Sequence, residues 1–253
     1  MRATFFAAVH AVAALQLATP TLHHASLPTL FGPEQLLIQR NFLSPELVRA
    51  LVADVGSLRK RGVTPDSASA AHGSVEWLNL LPQPPAAHRD DHPIGLAGRA
   101  CLLQIVDDIK TQLELGSSVP LDAAPVLKYA YYPCGGRYQR HVDGMNAGSV
   151  AREWSILLYL NQGWSPRDGG HLRVYDDFGG YTDVAPEAGT LVMFKSDAIS
   201  HEVRPTTAKR LAIVGWLHRH QTPPEVDEEA LTPLARAILE HYRAQGKDIK
   251  LNT

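Results

Sequence analysis

Between Val126 and His218 the chain breaks into eight short runs rich in β-branched and aromatic residues, with Gly, Pro and Asp turns between them. The runs are VLKYAYY, YQRHV, WSILLYL, HLRVY, YTDV, TLVMF, HEV and RLAIVGWL. Short strands at this spacing predict a β-sandwich or barrel. Helical periodicity lies upstream. Ser44 offers an N-cap and Pro45 the first helical position, followed by Leu47, Leu51, Val52 and Val55, with Gly62 as the stop. A second helix is expected from about Leu96 to Leu115, with Leu102, Ile105, Val106, Ile109 and Leu113 on its apolar side. LLIQRNF, from Leu36, reads as a strand. Val63 to Pro93 reads as a long loop around one apolar piece, VEWLNLL. Thr232 and Pro233 begin a terminal helix that ends near Gly246. The fold class expected is mainly β with flanking helices.

Composition excludes several classes. Of 253 residues, 45% are hydrophobic and 20% charged, which argues against a disordered chain and a multi-pass membrane protein. A net charge of −2 gives no global basic excess, so no nucleic-acid partner is expected. Two cysteines, Cys101 and Cys134, cannot build a disulfide scaffold or a Cys-rich zinc site. Cys101 is expected on a helix as a small hydrophobe, and Cys134 beside a strand. Residues 1–33 form an N-terminal extension. Arg2 and the apolar stretch to Ala18 have the shape of a targeting peptide, yet they are too short and interrupted for a stable membrane span. The expected compartment is therefore soluble: cytoplasmic, or a secretory or organelle lumen if the extension is a targeting peptide. A single domain is expected over 34–220, with its β core at about 125–218, and a helix and tail over 221–253.

The twelve histidines are the compositional excess. On a strand, His-x-Asp puts both side chains on one face, because side chains alternate. Two His and one carboxylate leave metal positions open, as non-haem Fe(II) oxygenases require. His88-Arg89-Asp90 lies in the Pro-rich loop and reads as solvated loop. His141-Val142-Asp143 follows strand-like RYQR and precedes a turn, where a ligand pair belongs. His201, opening HEV, is the best third ligand, with His171 its rival. His218 and His220 read as exposed residues before a linker.

Arg210 adds a second clue. A cosubstrate with a free carboxylate needs a cation at its far end, and the planar guanidinium suits that task. His201 and Arg210 on two arms of one hairpin would hold both ends of a small dicarboxylate. Tyr159, in ILLYLN, would offer a hydroxyl to the same carboxylate.

Together YYPCGGRYQRHVD, REWSILLYLNQGW, GGHLRVY, VAPEAGTLVMFKSD, HEVRP and KRLAIVGW resemble the Fe(II)- and 2-oxoglutarate-dependent dioxygenases of the prolyl 4-hydroxylase-like family. Arg210, nine residues after His201, is similar to the hypoxia-sensing and bacterial branch. The resemblance implies a double-stranded β-helix, or jelly-roll, core with helices on one sheet. It implies Fe(II) on His141, Asp143 and His201, and 2-oxoglutarate held by Arg210 and Tyr159, with Tyr132 beside it. It places Tyr138, Leu172 and Trp216 on the pocket wall and Arg152 near the substrate mouth. O₂ is the implied second cosubstrate and L-ascorbate a supporting reductant. Leu127, Ile156, Leu158, Leu191 and Ile213 are expected to keep the pocket dry. The implied activity is hydroxylation of a substrate carbon with release of succinate and CO₂, the substrate a proline-containing protein or peptide. The alternatives are a hydroxylase of a free amino acid or other small molecule, and a non-catalytic jelly-roll binding module. The turn after Asp143 is longer than in the animal hypoxia-sensing enzymes.

Overall fold

The computed structural model describes residues 35–60, 74–80, 93–122, 125–145 and 151–220. The expected N-terminal extension, the terminal helix and the His88–Asp90 pair lie outside the described residues. Residues up to Arg219 belong to one unit, and a second begins at His220.

Among the described residues ten strands form two antiparallel sheets. In chain order they are β1 (Leu36–Gln39), β2 (Glu76–Asn79), β3 (Val126–Tyr132), β4 (Tyr138–Val142), β5 (Arg152–Tyr159), β6 (Leu172–Tyr175), β7 (Tyr181–Val184), β8 (Leu191–Lys195), β9 (Ser200–Val203) and β10 (Arg210–His218). The larger sheet runs β1-β8-β5-β10-β3-β2 and the smaller β4-β9-β6-β7. Among the described residues two helices flank the sheets, α1 (Pro45–Lys60) and α2 (Pro93–Ser117). The Ser44 Oγ accepts from the Leu47 backbone N–H at 3.2 Å, the N-cap expected for α1. Among the described residues no helix is long and apolar enough to cross a membrane.

Strand alternation gives the larger sheet two different apolar faces. One face packs on the helices. There Leu127, Tyr129, Ile156, Leu158, Leu191 and Ile213 meet Leu47 and Leu51 of α1 and Leu102 and Ile105 of α2. The other face meets the smaller sheet. There Ala130, Tyr132, Leu157, Tyr159, Phe194, Ala212, Val214 and Trp216 pack on Leu172, Val174, Val184 and Val203. This is the jelly-roll interior, and it corrects one expectation. Leu127, Ile156, Leu158, Leu191 and Ile213 do not line the pocket. They point to the helices, because each sits one residue out of phase with the pocket row.

A second correction concerns His201 and Arg210. β9 pairs with β4 and β6, whereas β10 pairs with β3 and β5. The two residues are not on one hairpin. The chain crosses from one sheet to the other between them, so they approach the interior from opposite walls.

The loop expected over Val63–Pro93 contains a strand. Glu76 to Asn79 pair with Tyr131 to Lys128 and extend the larger sheet by one edge strand. Cys101, expected as a buried small hydrophobe, is half-buried against the helix-side core, while exposed Cys134 donates to the Thr207 carbonyl at 3.1 Å.

The helices are locked to the sheet by a buried polar cluster. The Arg99 guanidinium donates to both oxygens of Asp54, at 2.9 and 2.5 Å, and the Tyr129 hydroxyl donates to Asp54 Oδ2 at 2.8 Å. Both ion-pair partners are buried. Arg99→Met strands the Asp54 carboxylate in the core, so a loss of about 3–5 kcal/mol is expected. Urea unfolding monitored by circular dichroism measures it. A change within a few tenths of a kcal/mol would show that water reaches Asp54.

Candidate active site

Three side chains meet at one end of the smaller sheet. His141 on β4 and His201 on β9 are direct cross-strand partners, with ring centroids 4.3 Å apart. Asp143 opens the short 3-10 turn Asp143–Met145 that ends β4. The Gly144 N–H donates to the Ser196 carbonyl at 2.7 Å and holds that turn. A Cβ at Gly144 would lie 2.8 Å from the Asp197 Cα, so the close approach requires glycine.

The triad offers three ligand atoms within 4.8 Å of one another, the spread of one metal site. Each imidazole has one nitrogen committed. Nδ1 of His141 lies 2.8 Å from the Gln139 carbonyl, and Nδ1 of His201 lies 3.1 Å from the Ile199 carbonyl. Those contacts place the proton on Nδ1 and leave both Nε2 atoms as ligands. Each Nε2 faces Asp143, at 3.2 Å from Oδ1 for His141 and 4.0 Å from Oδ2 for His201.

Electrostatics prepares the donors. Burial works to raise the Asp143 pKa, but the His141 hydrogen bond, the neighbouring His201 imidazole and the Ser155 hydroxyl outweigh it and hold the carboxyl well below its usual range. Burial pushes His201 down and keeps it neutral. Burial also pulls on His141, but Asp143 prevails and raises it. The result is an ionised carboxylate facing two imidazoles.

Ser155 orients the carboxylate. Its Oγ donates to Asp143 Oδ2 at 2.6 Å and sits 2.8 Å from the Ser196 Oγ, with both serines buried. Ser155→Ala should weaken metal binding by about 10–100-fold, as removal of such supporting bonds does elsewhere. Competition with a chromophoric chelator measures this. Unchanged affinity would leave Ser155 a packing residue only.

Deeper between the sheets lies a second polar group. Arg210 pairs across strands with Tyr132, and Ala212 with Tyr159. The Arg210 guanidinium carbon sits 4.8 Å from the Tyr132 ring centroid and 5.2 Å from that of Tyr159. Its Nε donates to the Gly170 carbonyl at 2.8 Å. Gly170 has φ +71°, and a Cβ there would press on the Arg210 Cδ at 2.9 Å, so this position also needs glycine. Arg210 Nη2 and the Tyr159 hydroxyl are buried with no hydrogen-bond partner among the described residues. Burial pushes the Tyr159 phenol up to about 12 against the pull of Arg210, so it remains a donor. Two buried donors without an acceptor are costly, and a ligand carboxylate would satisfy both.

A cleft opens from the triad to the surface. Tyr132, Tyr138, Arg152, Leu172 and Trp216 line it with the three triad residues. Arg152 donates to the Asp143 carbonyl at 3.1 Å and stacks on Trp216, its guanidinium carbon 4.1 Å from the ring centroid. Tyr138 packs edge-on against His141, at 4.8 Å between centroids. The rival His171 packs instead on Trp164 at 5.1 Å, outside the triad. His218 is half-buried at the end of β10 rather than exposed, while His220 is exposed.

Sequence reasoning missed Ser155, Trp77 and Lys128, and with them the apolar liners Leu157, Val203 and Val214. Ser155 was legible as the polar member of the Ser155-Leu157-Tyr159 row in an apolar run. Trp77 and Lys128 also line the cleft. Trp77 sits on the edge strand hidden in the long loop, and Lys128 on the pocket row of β3.

The described residues thus unite a jelly roll, a His-Asp-His triad and a buried Arg–Tyr pair. Residues 127–218 match the family model described as the 2OG-Fe(II) oxygenase superfamily. A Pseudomonas putida prolyl-4-hydroxylase structure is 30% identical with a TM-score of 0.67, and the match covers 78% of this chain and 98% of that one. The chain belongs to the 2OG-Fe(II) oxygenase superfamily. Within it, the chain falls in the prolyl 4-hydroxylase-like group. A Trichoplax adhaerens prolyl hydroxylase, solved with a hypoxia-inducible-factor oxygen degradation domain peptide fragment, shares the fold at 24% identity. Its TM-score is 0.62, over 77% of this chain and 87% of that one. A PKHD-type hydroxylase of Maricaulis maris is 32% identical over 122 residues, 48% of this chain and 54% of that protein. The chain thus spans about half the length of that curated relative.

Proposed function

We propose that this chain is an Fe(II)- and 2-oxoglutarate-dependent dioxygenase that 4-hydroxylates proline in a protein or peptide. The observation that carries it is the triad beside a buried Arg–Tyr pair whose two donors lack an acceptor. The donor set fits both groups. His141 Nε2, His201 Nε2 and one Asp143 oxygen would hold iron and leave positions open. Arg210 and Tyr159 would take the far carboxylate of 2-oxoglutarate, with the Tyr132 ring beside it.

When bound, iron and cosubstrate supply the oxidising chemistry, in which 2-oxoglutarate and O₂ give succinate and CO₂ and one oxygen atom enters a substrate C–H bond. The protein's own task is to hold and shield. Asp143 brings negative charge to the metal site, and Ser155 keeps its carboxylate from turning. Leu157, Leu172, Val203 and Val214 exclude water from the cleft. Trp77, Tyr138 and Trp216 give the mouth flat apolar faces on which a proline ring packs. L-ascorbate would restore the reduced metal between turnovers.

The test is mass spectrometry of a host-cell protein extract treated with the purified chain, Fe(II), 2-oxoglutarate, ascorbate and ¹⁸O₂, with succinate followed in parallel. Heavy oxygen on proline is the expected result. Labelled free amino acid without labelled protein would move the substrate to a small molecule. No succinate under any condition would favour a non-catalytic binding module.

A further inference from the structure

The cleft wall holds a buried donor with nothing to donate to. Trp216 lies on the pocket row of β10 and is 8% exposed, and its indole Nε1 is buried with no hydrogen-bond partner among the described residues. An unmet buried N–H is costly, so it marks a place that a ligand or a shifted neighbour completes. The strand register points to the neighbour. Trp216 is the direct cross-strand partner of Ser155, whose Oγ donates to Asp143 Oδ2 at 2.6 Å. Residues directly opposite on adjacent strands share a face, with Cβ atoms about 4.5–5.5 Å apart. The indole therefore stands beside the serine that already grips the carboxylate, and it is one of the groups that hold the Asp143 carboxyl below its usual range. Arg152 fixes the ring to the same turn. Its guanidinium carbon lies 4.1 Å from the Trp216 ring centroid, and it donates to the Asp143 carbonyl at 3.1 Å.

We propose that Trp216 is a positioning residue for the metal site, and that its indole N–H becomes the second donor to the Asp143 carboxylate when a metal ion occupies the triad. This rests on the metal site of the proposed function and extends it by one residue. In the structure both carboxylate oxygens turn toward imidazole nitrogens, Oδ1 toward His141 at 3.2 Å and Oδ2 toward His201 at 4.0 Å. With a cation on the two Nε2 atoms, those contacts are replaced and one carboxylate oxygen is spent as a ligand. The other oxygen then needs donors, and Ser155 and Trp216 are the side chains placed to supply them. Two donors from adjacent strands leave the carboxylate less freedom to turn than one. Trp216 also carries its N–H on a large apolar ring, so it donates without bringing water to the ligand.

The test follows the indole N–H itself. The full chain is labelled with ¹⁵N at its four tryptophan indoles, and Zn(II) is titrated under ¹H–¹⁵N correlation spectroscopy. Replacing Trp216 with 3-benzothienyl-L-alanine swaps the N–H for sulfur and keeps the ring shape, and it assigns the Trp216 resonance by its absence. Zn(II) should move that proton downfield as the hydrogen bond forms, and Asp143→Asn should abolish the shift. By competition with a chromophoric chelator, the benzothienyl variant should bind Zn(II) about 10-fold more weakly, the lower end of what loss of a ligand-supporting bond costs. Combined with Ser155→Ala, it should lose less than the product of the two single losses, because both donors hold one carboxylate.

A Trp216 resonance that Zn(II) leaves in place, while binding still depends on Asp143, overturns the role of Trp216 and leaves the metal site standing. Equal Zn(II) affinity in the benzothienyl variant does the same. A resonance that moves only when a proline peptide is added makes the indole a substrate donor and overturns the inference as well. Zn(II) binding that Asp143→Asn does not weaken overturns the metal site and this inference with it.

Discussion

Asp143→Ala should abolish iron-dependent turnover and lower metal affinity by more than about a hundredfold, since loss of a bond that merely supports a ligand already costs 10–100-fold. Asp143 is the only anionic donor of the triad. Removing it leaves two neutral imidazoles, and these cannot balance the metal charge. It also frees Ser155 and Ser196 in a buried site, where their hydroxyls then have only each other. Asp143→Asn keeps the size and a hydrogen-bond acceptor for Ser155, so it should fold as wild type while binding metal far more weakly. Isothermal titration with Fe(II) or Mn(II), beside succinate release, reads both quantities. Near-normal turnover in the alanine variant would mean that the ligand set is wrong.

The same residue has a signature in the metal-free protein. Its folded pKa is depressed, so its stabilising contribution is present above the unfolded value of about 3.9 and lost as pH falls toward the folded one. His141 has a raised folded pKa, so its share is present below the unfolded value of about 6.5 and lost as pH rises through the folded one. The pair therefore stabilises most between these limits. Asp143→Asn should flatten that window in a series of metal-free thermal melts.

The triad was legible because strand alternation and turn position both act locally. His141-Val142-Asp143 ends a strand, and that end could be placed from RYQR on one side and the glycine on the other. The ten-strand order was not legible, because pairing partners lie far apart in sequence. β1 joins β8 across more than a hundred and fifty residues, and β9 leaves β10 for the opposite sheet. The hairpin expected for His201 and Arg210 failed for this reason. The side of Leu127, Ile156, Leu158, Leu191 and Ile213 failed for another. Both faces of the larger sheet are apolar, so hydrophobicity does not say which face meets helices and which meets the second sheet. Only the polar residues mark the phase. Ser155 and Tyr159 on β5, and Arg210 on β10, share the pocket row. Reading outward from them would have placed Leu157 and Val214 in the cleft instead. Trp77 was hidden because a four-residue edge strand inside a Pro- and Ser-rich stretch has too few positions to show alternation.

Arg210→Ala should raise the 2-oxoglutarate requirement by about 10–100-fold, the range of a charged hydrogen bond lost in a buried site. Metal affinity should change little, because Arg210 contacts none of the triad among the described residues. The size of the effect follows from burial. Arg210 is 2% exposed and has only the Gly170 carbonyl on Nε, so a cosubstrate carboxylate would meet a guanidinium already stripped of water. Its position is fixed before any ligand arrives, by Gly170 on one side and the Tyr132 and Tyr159 rings on the other. Little ordering is left to oppose binding. Tyr159→Phe removes one neutral donor and keeps the ring, so a smaller rise of about 3–10-fold is expected. Arg210→Lys keeps the charge but loses the planar fork, and should fall between the two. If Arg210 and Tyr159 grip the same carboxylate, the double variant should lose less than the sum of the single losses. Succinate release measured against 2-oxoglutarate concentration gives the requirement, and metal titration of the same variants gives the control. An unchanged requirement in Arg210→Ala would place the cosubstrate elsewhere in the interior. A parallel collapse of metal affinity would instead show that Arg210 supports the triad through the sheet rather than holding the cosubstrate.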